Sequence, residues 1–284
     1  MDPTFRDIDY QFYIDIYIMV EYQPRLLFTD AKVPPLAKEV PPCQRTEIIL
    51  DMPALPNGAV VGRGWNVADK SPYLNVFSNS LLCARVARHS STDCIRGLVG
   101  FTTGLHCWEI RWPHKQRSPF PIIGVATKQA PLMIERTAPV VGTNPHSWGV
   151  DIETCTAYHN GHSWRYPVLR NPDDEFIFSD IIMVLLDMDE GTLSYVVDGK
   201  NLGVAFTGLN NKTIYPIINM ANYYGVAAIR YAGSLPKGPP SLKLLARAAI
   251  RSAIGLMNIV EDSKHLNLPE SLETYVSRPG LTYP

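Results

Sequence analysis

LHCWEIRW, residues 105–112, alternates apolar and charged side chains from Trp108 onward. Trp108, Ile110 and Trp112 fall on one face and Glu109 and Arg111 on the other, the period of two that marks a half-buried β-strand. Moving outward in both directions, the same kind of segment recurs. Residues 74–77, 94–101, 122–127, 148–152, 181–188, 192–197, 214–218 and 226–231 are short, apolar and bounded by turn residues. Asn160-Gly161 and Asp198-Gly199 suit two-residue hairpin turns, where both residues take positive φ. Many short strands with no long helices between them predict an antiparallel sandwich or barrel, not a parallel α/β sheet.

The bulk numbers agree with such a fold and exclude several functions. Of 284 residues, 46% are hydrophobic and 19% charged, enough apolar material for a sizeable core. The net charge of -1 supplies no basic excess to neutralise phosphates, so neither a nucleic acid nor an anionic membrane is an expected partner. The five cysteines (Cys43, Cys83, Cys94, Cys107, Cys155) are odd in number and form no CxxC pair. That argues against a disulfide framework or a zinc ribbon and for a reducing compartment; a cytoplasmic location is expected. The apolar run Ile16 to Val20 lies between Asp15 and Glu21, too short to span a bilayer and without the pattern of a secretory signal.

Three zones follow: residues 1–45 as an extension with a Pro-rich linker, 46–233 as the β-rich body, and 234–284 as a helical tail. In the tail the period changes. Leu242, Leu245, Ala246, Ala249, Ile250, Ala253, Ile254 and Met257 recur at helical spacing after Ser241, which is placed to cap the helix. Lys243, Arg247 and Arg251 repeat every fourth residue on another face. A second short helix is predicted from Pro269.

Signals for catalysis fall away one by one. GAVVGRG (58–64) lacks the Lys-Ser/Thr of a phosphate loop. DMDEG (187–191) resembles a calcium loop, but its glycine comes one place early and both flanks are strand-like, which fits a hairpin turn better. His159 and His162 have no third ligand at a recognisable spacing. Arg111, His114, Lys115 and Arg117 read as a solvated loop. No metal, cofactor or catalytic residue is expected.

The runs STDCIRGLVGFTTGLHCWEIRWPHKQR (91–117), GVATKQAPL (124–132), SWGVDI (147–152) and LDMDEGTLSYVVDGKNLGVAFTGL (186–209) resemble the SPRY domain-containing SOCS box protein family. The resemblance implies a bent antiparallel β-sandwich that binds a target protein, followed by a small α-helical SOCS box. It implies a non-catalytic substrate-recognition adaptor of an elongin B/C–cullin–RING ubiquitin ligase. The first tail helix resembles an elongin-C-binding motif, with Leu242 as anchor and Leu245, Ala246 and Ile250 beside it. Ala246 stands where the family usually has Cys, a loss of about 1 kcal/mol of buried contact. Leu266, Leu268, Pro269, Leu272 and Tyr275 resemble a cullin box that selects the fifth cullin; Asn267 stands where the family usually has Pro. Family members that bind short Asn-rich peptides do so at positions matching Arg85, Ala87, His89, Ser118, Pro119, Thr137, Val140, Ala221, Asn222 and Tyr223. Of these Arg85 keeps the family residue, and the other nine differ. The expectation is a protein segment of different sequence bound at the same surface.

Overall fold

The computed structural model describes residues 33–38, 44–53, 62–77, 81–85, 90–221, 225–255, 259–278 and 280. The body is two antiparallel sheets. One runs β1 (Trp65–Lys70), β4 (Thr92–Gly97), β14 (Tyr215–Ala221), β6 (Ile122–Ala126), β8 (Ser147–Asp151), β9 (Thr156–His159), β10 (His162–Arg165), with the short β7 (Met133–Ile134) added to β4. The other runs β13 (Lys200–Phe206), β12 (Thr192–Val197), β11 (Ile181–Asp187), β5 (Leu105–Arg111), β15 (Gly225–Leu235), β3 (Leu82–Arg85), β2 (Leu74–Phe77). The mainly β sandwich read from the sequence is therefore the observed one. Both foreseen hairpin turns form, with φ of 49° at Asn160, 76° at Gly161, 49° at Asp198 and 74° at Gly199. DMDEG is the turn between β11 and β12. There the Asp187 carboxylate accepts from the backbone N–H groups of Asp189 (3.0 Å) and Glu190 (3.1 Å).

The core lies between the sheets. Trp108 and Ile110 of β5, with Trp112 just beyond it, point into it beside Ile123, Trp148, Val184, Tyr195 and Ile218. Burying aromatics of this size supplies much of the hydrophobic driving force. The Tyr195 hydroxyl crosses the layer to donate to the Ile123 carbonyl at 2.8 Å, so its polar end is satisfied inside the core.

β5 corrects the half-buried expectation. Its other face is covered too: Leu105 and Cys107 belong to a second apolar cluster with Ile48, Ile49, Leu50, Met183, Leu185, Val196, Ala232 and Leu235. The cover is helical. α1 (Gln44–Asp51) precedes the sandwich, and α2 (Leu242–Ile254), α3 (Ile259–Lys264) and α4 (Glu270–Ser277) follow it. Leu244, Leu245 and Ala248 of α2 pack onto the same cluster. Ser241 caps α2 as foreseen, its hydroxyl accepting from the Leu244 N–H at 3.4 Å, and Gly255 at φ 81° ends it. Among the described residues no helix is long and apolar enough to cross a membrane.

Candidate interaction sites

Strand ends from both sheets and the loops beside them bring together those predicted target-binding residues that are described. Arg85 ends β3 opposite Gly225, the first residue of β15. Ala221 ends β14 opposite Thr92, the first residue of β4. The Ala221 N–H donates to Ser118 Oγ at 3.0 Å, which ties in the loop carrying Pro119. Thr92 Oγ1 donates to the Arg136 carbonyl (3.0 Å) and accepts from the Ala138 N–H (3.2 Å), and Thr137 Oγ1 lies 3.4 Å from Ser90 Oγ. The Val140 N–H donates to Asn219 Oδ1 at 3.0 Å, while Asn219 Nδ2 donates to the Phe120 carbonyl at 2.8 Å. Sequence reasoning missed Asn219, Thr92 and Asp93. An Asn inside the apolar run of β14 was the available signal, because a buried amide must find partners.

These residues are not equally presented. Pro119 is exposed and Thr137 half-buried, whereas the side chains of Ser118, Val140 and Ala221 are enclosed. Ala87, His89, Asn222 and Tyr223 lie outside the described residues. Arg85, expected to offer its charge to a peptide, is 0% exposed. Its Nε donates to Asp93 Oδ2 at 2.5 Å and its Nη2 to Ser91 Oγ at 2.8 Å. Ser91 Oγ donates in turn to Asp93 Oδ2 at 2.8 Å, and Ser71 Oγ to Asp93 Oδ1 at 2.5 Å. The guanidinium thus holds β3 against β4 from inside, since a charge removed from water needs a paired and hydrogen-bonded counter-charge.

Burial pushes the Cys83, Cys94 and Cys107 thiols well above their ordinary range and the Cys155 thiol up to about 11. None of these four carries appreciable thiolate at neutral pH, so they behave as small core residues and not as nucleophiles. A separate open groove of about 470 Å³, lined among others by Glu153, Cys155, Trp164, Glu175 and Ile177, shares no residue with the predicted surface.

In the tail, α2 is divided by what it touches. Leu242 is 84% exposed, and Ala246, Ala249 and Ala253 are exposed on the same side. Leu245 packs against the sandwich cluster, and Ile250 is half-buried at the margin. Arg247 and Arg251 are the surprise: with 1% and 2% exposure they face inward, leaving Lys243 as the exposed member of that row. Lys243 Nζ sits 4.2 Å over the Tyr275 ring, so Tyr275 is half-buried under α2. Leu266 (36%) and Leu272 (43%) are exposed, Leu268 is half-buried, and Pro269 caps α4. Asn267 takes φ 49°, a conformation closed to the proline of the family pattern, whose ring holds φ near -65°.

An antiparallel two-sheet sandwich whose strand ends gather at one end, followed by a helical tail with an exposed apolar stripe, defines a class of protein-interaction module. Residues 105–231 match the SPRY domain and residues 238–277 match the SOCS box. The Drosophila melanogaster protein gustavus is 40% identical over 82% of this chain and 85% of its own. Human SPRY domain-containing SOCS box protein 1 is 40% identical over 82% and 86%, and rat SPRY domain-containing SOCS box protein 2 is 36% identical over 85% and 92%. The chain belongs to the SPRY domain-containing SOCS box protein family.

Proposed function

We propose that this chain is a substrate-recognition adaptor of an elongin B/C–cullin–RING ubiquitin ligase. The sandwich end around Pro119 and Thr137 holds a short segment of a target protein, while the tail holds the scaffold. No residue of the chain enters the transfer itself. Its contribution is effective concentration, keeping target lysines close to a charged ubiquitin-conjugating enzyme.

The observation that carries the reading is the 84% exposure of Leu242 on a capped helix whose other side is already packed. A large apolar side chain left in water, in line with three small residues, suits helix-in-groove docking in which elongin C buries it. The fifth cullin, held through Leu266, Leu268, Pro269, Leu272 and Tyr275, is the finer part of the proposal. Arg85 enters as the internal brace of the target surface, and Ala87, His89, Asn222 and Tyr223 enter on the family resemblance alone.

Affinity capture from cell lysate with wild type beside Leu242→Ala tests the reading. Elongins B and C should come down with wild type and be lost with the variant, while target proteins remain on both. If wild type captures no elongin, the chain is a binding module without ligase recruitment. A peptide array probed with wild type and Tyr223→Ala tests the target surface; identical binding patterns would remove that surface from the proposal.

A further inference from the structure

α1 lies outside both the SPRY and the SOCS box matches, yet it touches both parts of the molecule. At its start, Arg45 Nη2 reaches Asp189 Oδ2 on the β11–β12 turn at 3.0 Å and the Pro236 carbonyl at 3.3 Å. At its end, Asp51 Oδ1 accepts from Arg251 Nε at 2.6 Å and Asp51 Oδ2 lies 3.4 Å from Arg247 Nε. The Asp51 carbonyl accepts from the same Arg247 Nε at 3.1 Å. One carboxylate therefore partners two buried cations on α2.

Those two guanidinium groups have a second task. Arg247 donates to the carbonyls of Tyr275, Val276 (3.1 Å) and Arg278 (2.6 Å), and Arg251 to those of Val276 (2.8 Å) and Arg278 (3.0 Å). These are the orphan acceptors at the end of α4, where a helix favours positive charge. Gly280 presses on α1 so closely that a Cβ there would stand 2.9 Å from the Leu50 carbonyl oxygen. α1 and α2 thus both rest on the sandwich, and Asp51 at the end of α1 joins α2, whose two arginines in turn hold the end of α4.

We propose that α1 is a working part of the scaffold-binding unit and that Asp51 is a positioning residue. By fixing Arg247 and Arg251 it sets the angle at which the Leu242 stripe is presented relative to the target end of the sandwich. The angle decides which lysines of a bound target come within reach of the ligase. The consequence for ubiquitin transfer rests on the adaptor reading above, whereas the fixed angle itself does not.

The test uses the full chain, with Cys43→Ser, and nitroxide labels on cysteines introduced at Ser252, exposed on α2, and Glu135, exposed near the target end. Wild type should give one narrow label-to-label distance. Asp51→Ala should broaden it to several components at temperatures where the sandwich core remains folded by near-ultraviolet dichroism. Asp51→Asn keeps an acceptor for Arg251 and should restore most of the narrow distance. If Asp51→Ala does not fold, Arg251→Lys takes its place, keeping the charge and losing the second arm of the fork. Recombinant elongin B/C, titrated into each, should bind all of them, because the Leu242 stripe lies away from the joint. An unchanged narrow distance in Asp51→Ala or Arg251→Lys overturns the inference. So does loss of elongin B/C binding with the distance unchanged. A wild type with a narrow distance but no elongin B/C binding sinks the adaptor reading and leaves the joint standing.

Discussion

Asp93 lies at 0% exposure with Ser71, Arg85 and Ser91 all donating to it. Removing the carboxylate leaves a buried cation without its counter-charge, a change that costs about 3–5 kcal/mol. Asp93→Ala should lower the urea midpoint accordingly, and any loss of target binding should follow the loss of structure between β3 and β4. Asp151 gives a pH prediction. It is buried, and one of its carboxylate oxygens has no partner. Desolvation raises its pKa, opposed by hydrogen bonds from the Thr154 and Glu153 backbone. A carboxyl raised on folding contributes stability that is full below its unfolded pKa and is lost as pH rises through the folded one. Asp151→Asn removes that dependence. Relative to wild type, the variant should gain denaturant resistance between acid and neutral pH; a difference that does not change with pH would refute the assignment. At this scale the sequence was half legible. The identity of Arg85 was readable, but its inward direction depends on Ser71, in the turn between β1 and β2, and on Asp93 of β4, and charged residues near loops usually face water.

At the scale of elements, α2 shows what periodicity can and cannot say. Its apolar positions announced a helix, and the helix is there. They did not announce that Leu245 of the stripe would pack on the sandwich together with Leu244 and Ala248 from outside it, leaving Leu242, Ala246, Ala249 and Ala253 in solvent. The division follows from Arg247 and Arg251, which turn inward because the α4 carbonyls and Asp51 are waiting for them. Leu242→Ala should therefore change stability by less than about 0.5 kcal/mol. Full burial of a leucine in a partner groove is worth about 1.5–3 kcal/mol. Elongin B/C affinity should then fall by about tenfold to a hundredfold, readable by titration calorimetry. The strands divide similarly. Those with apolar runs, such as β11 and β12, were found at or near their observed limits. β10, whose four residues are all exposed, carries no apolar run to detect, whereas β3 was missed although Leu82, Cys83 and Ala84 are apolar and buried. The Asn160-Gly161 turn pointed to the β9–β10 hairpin where the strands did not.

At the scale of the molecule, the apolar cluster shared by α1, α2 and the outer face of β5, β11, β12 and β15 decides whether sandwich and tail are separate bodies. It includes Leu105, Cys107, Met183, Leu185, Val196, Ala232 and Leu235 from the sandwich, none more than 5% exposed. These side chains are core only while the helices stay in place. Sandwich and tail should then unfold together, as one calorimetric transition whose van't Hoff and calorimetric enthalpies agree. A chain ending at Leu235 loses the cover of Leu244, Leu245 and Ala248. That packing is worth about 2–4 kcal/mol by buried-area bookkeeping. The truncated sandwich should melt roughly 5–15 °C lower, the shift expected for that loss in a domain of its size. Two resolved transitions in the full chain, or an unchanged melting temperature after truncation, would mean that the tail rides on the sandwich without being part of it. In that case target and scaffold faces would be free to swing, and the reach of the adaptor would be set by its linker instead of by its core.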